Sequence, residues 1–241
     1  EVAETSGANY HFIDAPASIP GLFSSELEGL RNVALTNARI DVQLSAGVQV
    51  KEAFRASPQI YELKDVQPGA DRLLSLPLGD IEAGTPSSAL SVLVLPPRRP
   101  GRVRLGRASL YYDTPEAKNQ SESLDVLVNY TLDKATIGKA NGYVMNLVDQ
   151  VSIAKLQAQA EAAMALGDTD KATRLLGNAI VGTQRLGNSK ATQALEGLQT
   201  EMKKTQSLAG GAAKTQLLNA QATLRKTQLL DPDSVKGALQ D

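Results

Sequence analysis

Between Asn32 and Asp133 the chain changes polarity at every second residue, and this alternation limits its folding options more tightly than any other feature. Arg39-Ile-Asp-Val-Gln-Leu44 alternates polar and apolar side chains, and after Gly47 the segment Val48-Gln-Val-Lys51 does so again. A period of two sends one row of side chains to a core and the other to water, as in a half-buried strand. Further strands are expected at Gln59–Leu63, Arg72–Leu78, Ala89–Leu95, Arg102–Tyr112 and Ser123–Leu132. Pro68-Gly69, Ala83-Gly84, Pro96-Pro97 and Pro115 lie between strands as turn signals. Seven short strands with no helical period between them predict an antiparallel β-sandwich.

The period differs on either side. Asn9-Tyr-His-Phe-Ile13 reads as a short strand, and Leu22, Phe23, Leu27 and Leu30 then follow helical spacing behind Pro20, a residue tolerated in a first helical turn. After Asp133, Val144, Leu147, Val148, Val151 and Leu156 begin a helix that Gly167 stops, and Asp168 or Thr169 can cap the next. Leu175, Leu176, Ala179 and Ile180 form one face of a second helix. Breaks at Gly187-Asn188-Ser189 and Gly210-Gly211 leave two more. Ala163, Gly167-Asp168, Ala172, Leu175-Leu176 and Ala179 match the small-residue helix pair of a tetratricopeptide-type repeat in a single copy, so a lone helical hairpin is expected rather than a solenoid. The fold class is α+β multidomain: a strand and helix over residues 1–33, a sandwich over 34–133, and a C-terminal α-helical bundle or hairpin over 134–241.

Composition removes several function classes. Aromatic residues are 4% of the 241, with three Phe and no Trp, so an aromatic-walled ligand pocket has little to be built from. The net charge of −1 argues against a polyanion binder, and no nucleic-acid partner is expected. Charge is uneven all the same: up to Asp133 there are 12 Lys and Arg against 17 Asp and Glu, and beyond it 13 against 9. The absence of cysteine excludes disulfides, thiolate metal sites and thiol catalysis. No apolar run approaches the ~20 residues of a membrane span. A cytoplasmic location is slightly favoured, with cell-surface or secreted locations left open, because the chain starts at Glu1 rather than Met and its native start is not given.

Three passages together resemble the C-terminal half of bacterial von Willebrand factor A domain-containing proteins. Ala3-Glu-Thr-Ser-Gly-Ala-Asn-Tyr-His-Phe-Ile13 with Leu22-Phe-Ser-Ser-Glu-Leu-Glu-Gly-Leu30 looks like the last strand and helix of an A domain. Leu78-Gly-Asp-Ile-Glu-Ala-Gly84 with Leu93-Val-Leu-Pro-Pro97 looks like the sandwich that follows, and Leu156 through Ala179 looks like the helical tail. The resemblance implies an Asp-x-Ser-x-Ser loop that binds Mg²⁺ through hard oxygen ligands. This sequence holds no such loop; Asp113-Thr114 and Asp233-Ser234 lack its spacing. No cofactor is therefore expected here, and Mg²⁺ belongs only with a missing N-terminal A domain.

No catalytic constellation emerges, and the chain is expected not to be an enzyme. His11 is the one histidine, and its strand setting suits packing better than a triad, since no Gly-x-Ser-x-Gly elbow accompanies it. Glu26 and Glu28 point to different sides of a helix, and Asp168 with Asp170 suits a helix start. No Gly-rich phosphate loop is present. The most distinctive polar run is Arg98-Arg99-Pro-Gly-Arg102-Val-Arg104-Leu-Gly-Arg107. Arg102 and Arg104 share a strand face, with Arg98 and Arg99 in the turn before it. The run is a candidate partner- or anion-binding patch, set against an ordinary solvated face paired with Asp125. The expected function is a non-catalytic protein–protein interaction or scaffolding region, with the sandwich as rigid spacer and the helical tail as docking surface. The alternative is a self-assembling subunit of a homo-oligomer or surface filament.

Overall fold

The computed structural model describes residues 16–64, 66–133, 135, 140–205 and 211–228. The expected strand at Asn9–Ile13, with His11, lies outside them. The chain divides into two compact units whose main bodies are Phe23–Ala140 and Asn141–Asp241. A 3-10 turn at Pro16–Ser18 leads into helix α1 (Ile19–Arg31). Its Ile19, Phe23 and Leu27 recur every fourth residue, so they form one stripe. All three are exposed, at 36%, 67% and 59%.

Among the described residues the first unit holds seven strands: β1 (Val33–Leu44), β2 (Gln49–Ser57), β3 (Tyr61–Glu62), β4 (Leu73–Glu82), β5 (Ser88–Val94), β6 (Gly101–Asp113) and β7 (Gln120–Tyr130). They make two sheets, in the orders β4-β1-β6-β7 and β3-β2-β5, with every pairing antiparallel. Leu44, Leu74 and Leu76 from the first sheet pack with Val50 and Ala53 from the second in one apolar cluster. The alternation supplies that cluster: β4 reads buried at Leu74, Leu76 and Leu78 and exposed at Ser75 and Pro77.

Several strands run past their expected ends. β1 begins at Val33, where a bulge near Asn37 (φ +54°) breaks the alternation that marks the rest of the strand. β2 continues to Ser57 because Ala53, Phe54, Arg55, Ala56 and Ser57 are all buried, so no polar face remains to show a period. β4 starts after Arg72, which takes a left-handed φ of +63°, and continues through Gly79 to Glu82. The expected Gln59–Leu63 strand shrinks to Tyr61–Glu62.

The second unit contains α2 (Gly142–Ala165), α3 (Thr169–Arg185), α4 (Ser189–Thr205) and α5 (Gly211–Arg225). Leu176, Leu195, Leu198 and Met202 are almost wholly buried, with Ala172, Ala179, Ala191 and Ala220 letting the helices approach one another. Two turns of the same construction join α2 to α3 and α3 to α4. In the first, Gly167 (φ +79°) donates to Met164 O at 2.9 Å and Asp168 N–H to Ala163 O at 2.9 Å. In the second, Gly187 (φ +68°) donates to Gln184 O at 3.0 Å and Asn188 N–H to Thr183 O at 2.9 Å. Both are Schellman endings, which need a left-handed residue where glycine is unstrained. Asp168 and Asn188 then begin the following helices, accepting from Lys171 N–H at 3.0 Å and Ala191 N–H at 3.1 Å. Leu166-Gly-Asp and Leu186-Gly-Asn are thus one device used twice, a repetition visible in the sequence that the search for a single helix pair passed over.

Candidate interaction surfaces

The arginine run divides into two groups with different surroundings. Arg98 and Arg99 lie in the loop between β5 and β6, and Arg102 near the start of β6; all three are exposed. Arg98 donates to Ala46 O at 3.1 Å. Arg99 and Arg102 have no ion-pair partner among the described residues. Further along β6, Arg104 stands 3.6 Å and Arg107 3.1 Å from the same Asp125 oxygen. Residues three apart on a regular strand point to opposite faces. A bulge between Arg104 and Gly106 in the β6–β7 register reverses the parity and brings Arg104 and Arg107 to one side. The bulge leaves its mark in the sequence only as Leu105-Gly106, and a strict period of two misses it.

The outward face of β6 is therefore a polar ladder for much of its length. Below the Arg107–Asp125 pair, Ser109 Oγ meets Ser123 Oγ at 2.8 Å. On β1, Asp41 accepts from Ser75 Oγ at 2.6 Å and from Arg39 Nε at 3.2 Å, while the Arg39 guanidinium sits 4.6 Å from the Tyr111 ring centre. Asp113 ends the ladder. The N–H of Asn119 (2.8 Å) and the amide of Asn37 (2.9 Å) hold its carboxyl below the usual carboxylate range against a small opposing effect of burial, with Lys118 assisting. Exposed pairs of this type contribute little each, because solvent screens them. Arg104 and Arg107 are committed to this ladder, and Arg99 and Arg102 make no ion pair among the described residues.

The helical unit holds a second polar group that sequence reading missed. Gln150 and Gln157, seven residues apart on α2, are buried at 7% and 3% exposure. The Gln150 amide imitates a backbone partner: Nε2 donates to Gln228 O at 3.0 Å and Oε1 accepts from Gln228 N–H at 2.8 Å. One turn beyond Gln157, Glu161 accepts from Gln157 Nε2 at 3.0 Å and from Gln221 Nε2 of α5 at 2.8 Å. Burial pushes the Glu161 carboxyl above its ordinary range, opposed by those two amides and by the charge of Arg225. These contacts tie α5 and the residues after it to α2. Glutamines at core positions seven apart were the available signal, hidden because glutamine usually reads as a surface residue.

Beneath the surface of the strand unit, Arg55 is 6% exposed; its Nη1 is 3.1 Å from the Tyr61 hydroxyl and its Nε 3.5 Å from Ser57 O. Among the described residues no three His, Cys, Asp or Glu side chains converge as a metal site would require. The side chains described do not fit the Mg²⁺ that the family resemblance implies. No helix among the described residues is long and apolar enough to cross a membrane.

Antiparallel sheets followed by a helical unit define a mixed α+β chain with a fold related to von Willebrand factor A-type proteins. A solved von Willebrand factor type A protein from Catenulispora acidiphila superimposes with a TM-score of 0.72 at 18% identity, covering 90% of this chain and 52% of that one. The ArnB paralog VWA2 from Sulfolobus acidocaldarius aligns with a TM-score of 0.46 at 13% identity, over 91% of this chain and 49% of that one. The chain thus spans about half the length of each. Residues 142–226, which hold α2 to α5, match the family described as Sll0103-like, C-terminal alpha-helical domain. No curated protein matches the chain in sequence.

Proposed function

We propose that the chain is a non-catalytic, protein-contacting region of a von Willebrand factor A-type protein, taken from the C-terminal side of the metal-binding part. The observation that carries this reading is the stripe on α1. Three large apolar side chains on successive turns face water, at 36%, 67% and 59% exposure, whereas the second unit's helices bury Leu176, Leu195, Leu198 and Met202 and leave exposed apolar residues such as Val144 and Val181 off that core. A surface helix normally turns such a stripe to a core. In this reading the stripe belongs against the sheet of an α/β domain, as the last helix of an A domain would. The two sheets form a β-sandwich that acts as a spacer, and the helical unit presents a separate docking surface.

The test supplies a von Willebrand factor A-type α/β domain without its last helix and measures its binding to the chain by calorimetry. Saturable binding is expected, weakened at least about ten-fold by Phe23→Glu with Leu27→Glu, since each change places a charge where apolar area should be buried. An unchanged urea midpoint in that variant separates lost docking from lost folding. Absence of saturable binding overturns the reading.

A further inference from the structure

The last helix of the second unit is held by different means from the others. Among the described residues α5 commits Ala220 and Leu224 to the buried core, with Leu217 beside them. The preceding helix, α4, commits Leu195, Leu198 and Met202 together with two alanines. The thinner apolar anchorage of α5 is supplemented by amide contacts to α2 at two points.

At the first point, Gln150 Nε2 donates to Asn146 Oδ1 at 2.6 Å and to Gln228 O at 3.0 Å, while Oε1 accepts from Gln228 N–H at 2.8 Å. Asn146 thus orients the amide that clamps the backbone beyond α5. This clamp is neutral and indifferent to pH. At the second point, Glu161 stands between two amides, accepting from Gln157 of its own helix at 3.0 Å and from Gln221 of α5 at 2.8 Å. Arg225, one turn beyond Gln221, is the charged side chain that acts on it; among the described residues α3 and α4 bring it no charge. Burial outweighs the two amides and the guanidinium, so the docked arrangement suits the neutral carboxyl better than the ionised one. Freeing α5 returns the carboxylate to water. Docking of the helix and binding of a proton are therefore linked.

We infer that α5, with the residues up to Gln228, is a releasable strap on α2, which protonation of Glu161 tightens and its ionisation loosens. The Gln150 clamp holds the end of the strap at every pH, and the Glu161 contact sets how firmly its middle is held. The sign follows from the linkage: the strap is firmest below the ordinary carboxylate value near 4.5 and slackens as pH rises through the docked value. This inference concerns the helical unit and is independent of the α1 reading.

The test follows amide hydrogen exchange by mass in the whole chain at about pH 4 and about pH 7.5, each rate divided by its intrinsic chemical rate. Amides of α5 should be less protected than those of α3 at both values, because the strap opens without the rest of the unit. Protection along α5 should fall at least about three-fold between the lower and the higher pH. Glu161→Gln should abolish that ratio while α5 stays helical. Gln150→Ala should lower α5 protection about five-fold at both values and leave the ratio intact. A ratio that persists in Glu161→Gln would overturn the inference, as would α5 and α3 exchanging at equal protection, which would make them one cooperative unit.

Discussion

Replacing Gly106 with alanine isolates one atom at the bulge that sets the arginine layout. An added Cβ would lie 2.7 Å from the backbone oxygen of Gln43 on β1, whereas an ordinary contact begins near 3.4 Å. The strands would have to separate by about 0.7 Å, and Gln43 O is part of the backbone of the pairing between β1 and β6, so it cannot swing away. Overpacking of this sort costs about 1–3 kcal/mol. With a urea m-value of about 1–2 kcal/mol/M for a unit of this size, the midpoint should fall by about 0.5–3 M. Tyrosine fluorescence is the suitable probe, because Tyr61, Tyr111, Tyr112 and Tyr130 lie in the strand unit and the chain has no Trp. Helical ellipticity at 222 nm should keep its wild-type transition. Gly197→Ala is the matched control: its Cβ would meet Gln216 Oε1 at 2.9 Å, a similar clash on paper. That oxygen ends a flexible side chain, and alanine in mid-helix gains about 1 kcal/mol over glycine. Gly197→Ala should therefore be neutral or stabilising. A Gly106→Ala midpoint within about 0.3 M of wild type, or loss of stability of equal size in both variants, would refute the reasoning.

Other expectations concern pH. Glu161 has a folded-state pKa raised above its unfolded value, chiefly by burial. Its stabilising share is full below the unfolded pKa near 4.5 and is lost as pH rises through the folded value. Glu161→Gln should flatten that decline in the helical transition, and a slope equal to wild type would show that the group is not buried as described. Asp113 has the opposite sign: its lowered pKa, caused first by the Asn119 N–H, gives stability that is present above about 3.8 and lost as pH falls through the folded value. Asp113→Asn should remove that acid sensitivity from the tyrosine-detected transition.

How much was legible depended on how local the determining physics was. The strands of the larger sheet show their period because one face meets water, as β4 does at Ser75 and Pro77. β2 hid its second half because Ala53 to Ser57 is buried throughout, including an arginine. Helix ends were readable at Gly167 and Asp168, since a left-handed residue and a capping carboxylate have few substitutes. The arginine patch was readable as a run but not as a surface. Whether Arg107 joins Arg104 depends on a bulge, and the bulge depends on how β6 pairs with β7. Likewise, Gln150 and Glu161 gain their roles only when α5 returns to α2, a long-range contact that no local pattern encodes. The exposed stripe on α1 is a property of what does not surround it among the described residues, and sequence periodicity carries no record of that.

The central claim is the proposal that the α1 stripe docks on a von Willebrand factor A-type α/β domain. The chain has no cysteine, so Leu27→Cys places a single thiol on that stripe. Pulsed maleimide labelling, read by mass on the α1 peptide, compares this chain alone with the chain saturated by such a domain lacking its last helix. The expected result is free-thiol reactivity in the chain alone and labelling slower by at least about ten-fold in the complex, where the position is opened only by local unfolding or dissociation. Equal labelling rates in the two would contradict the account.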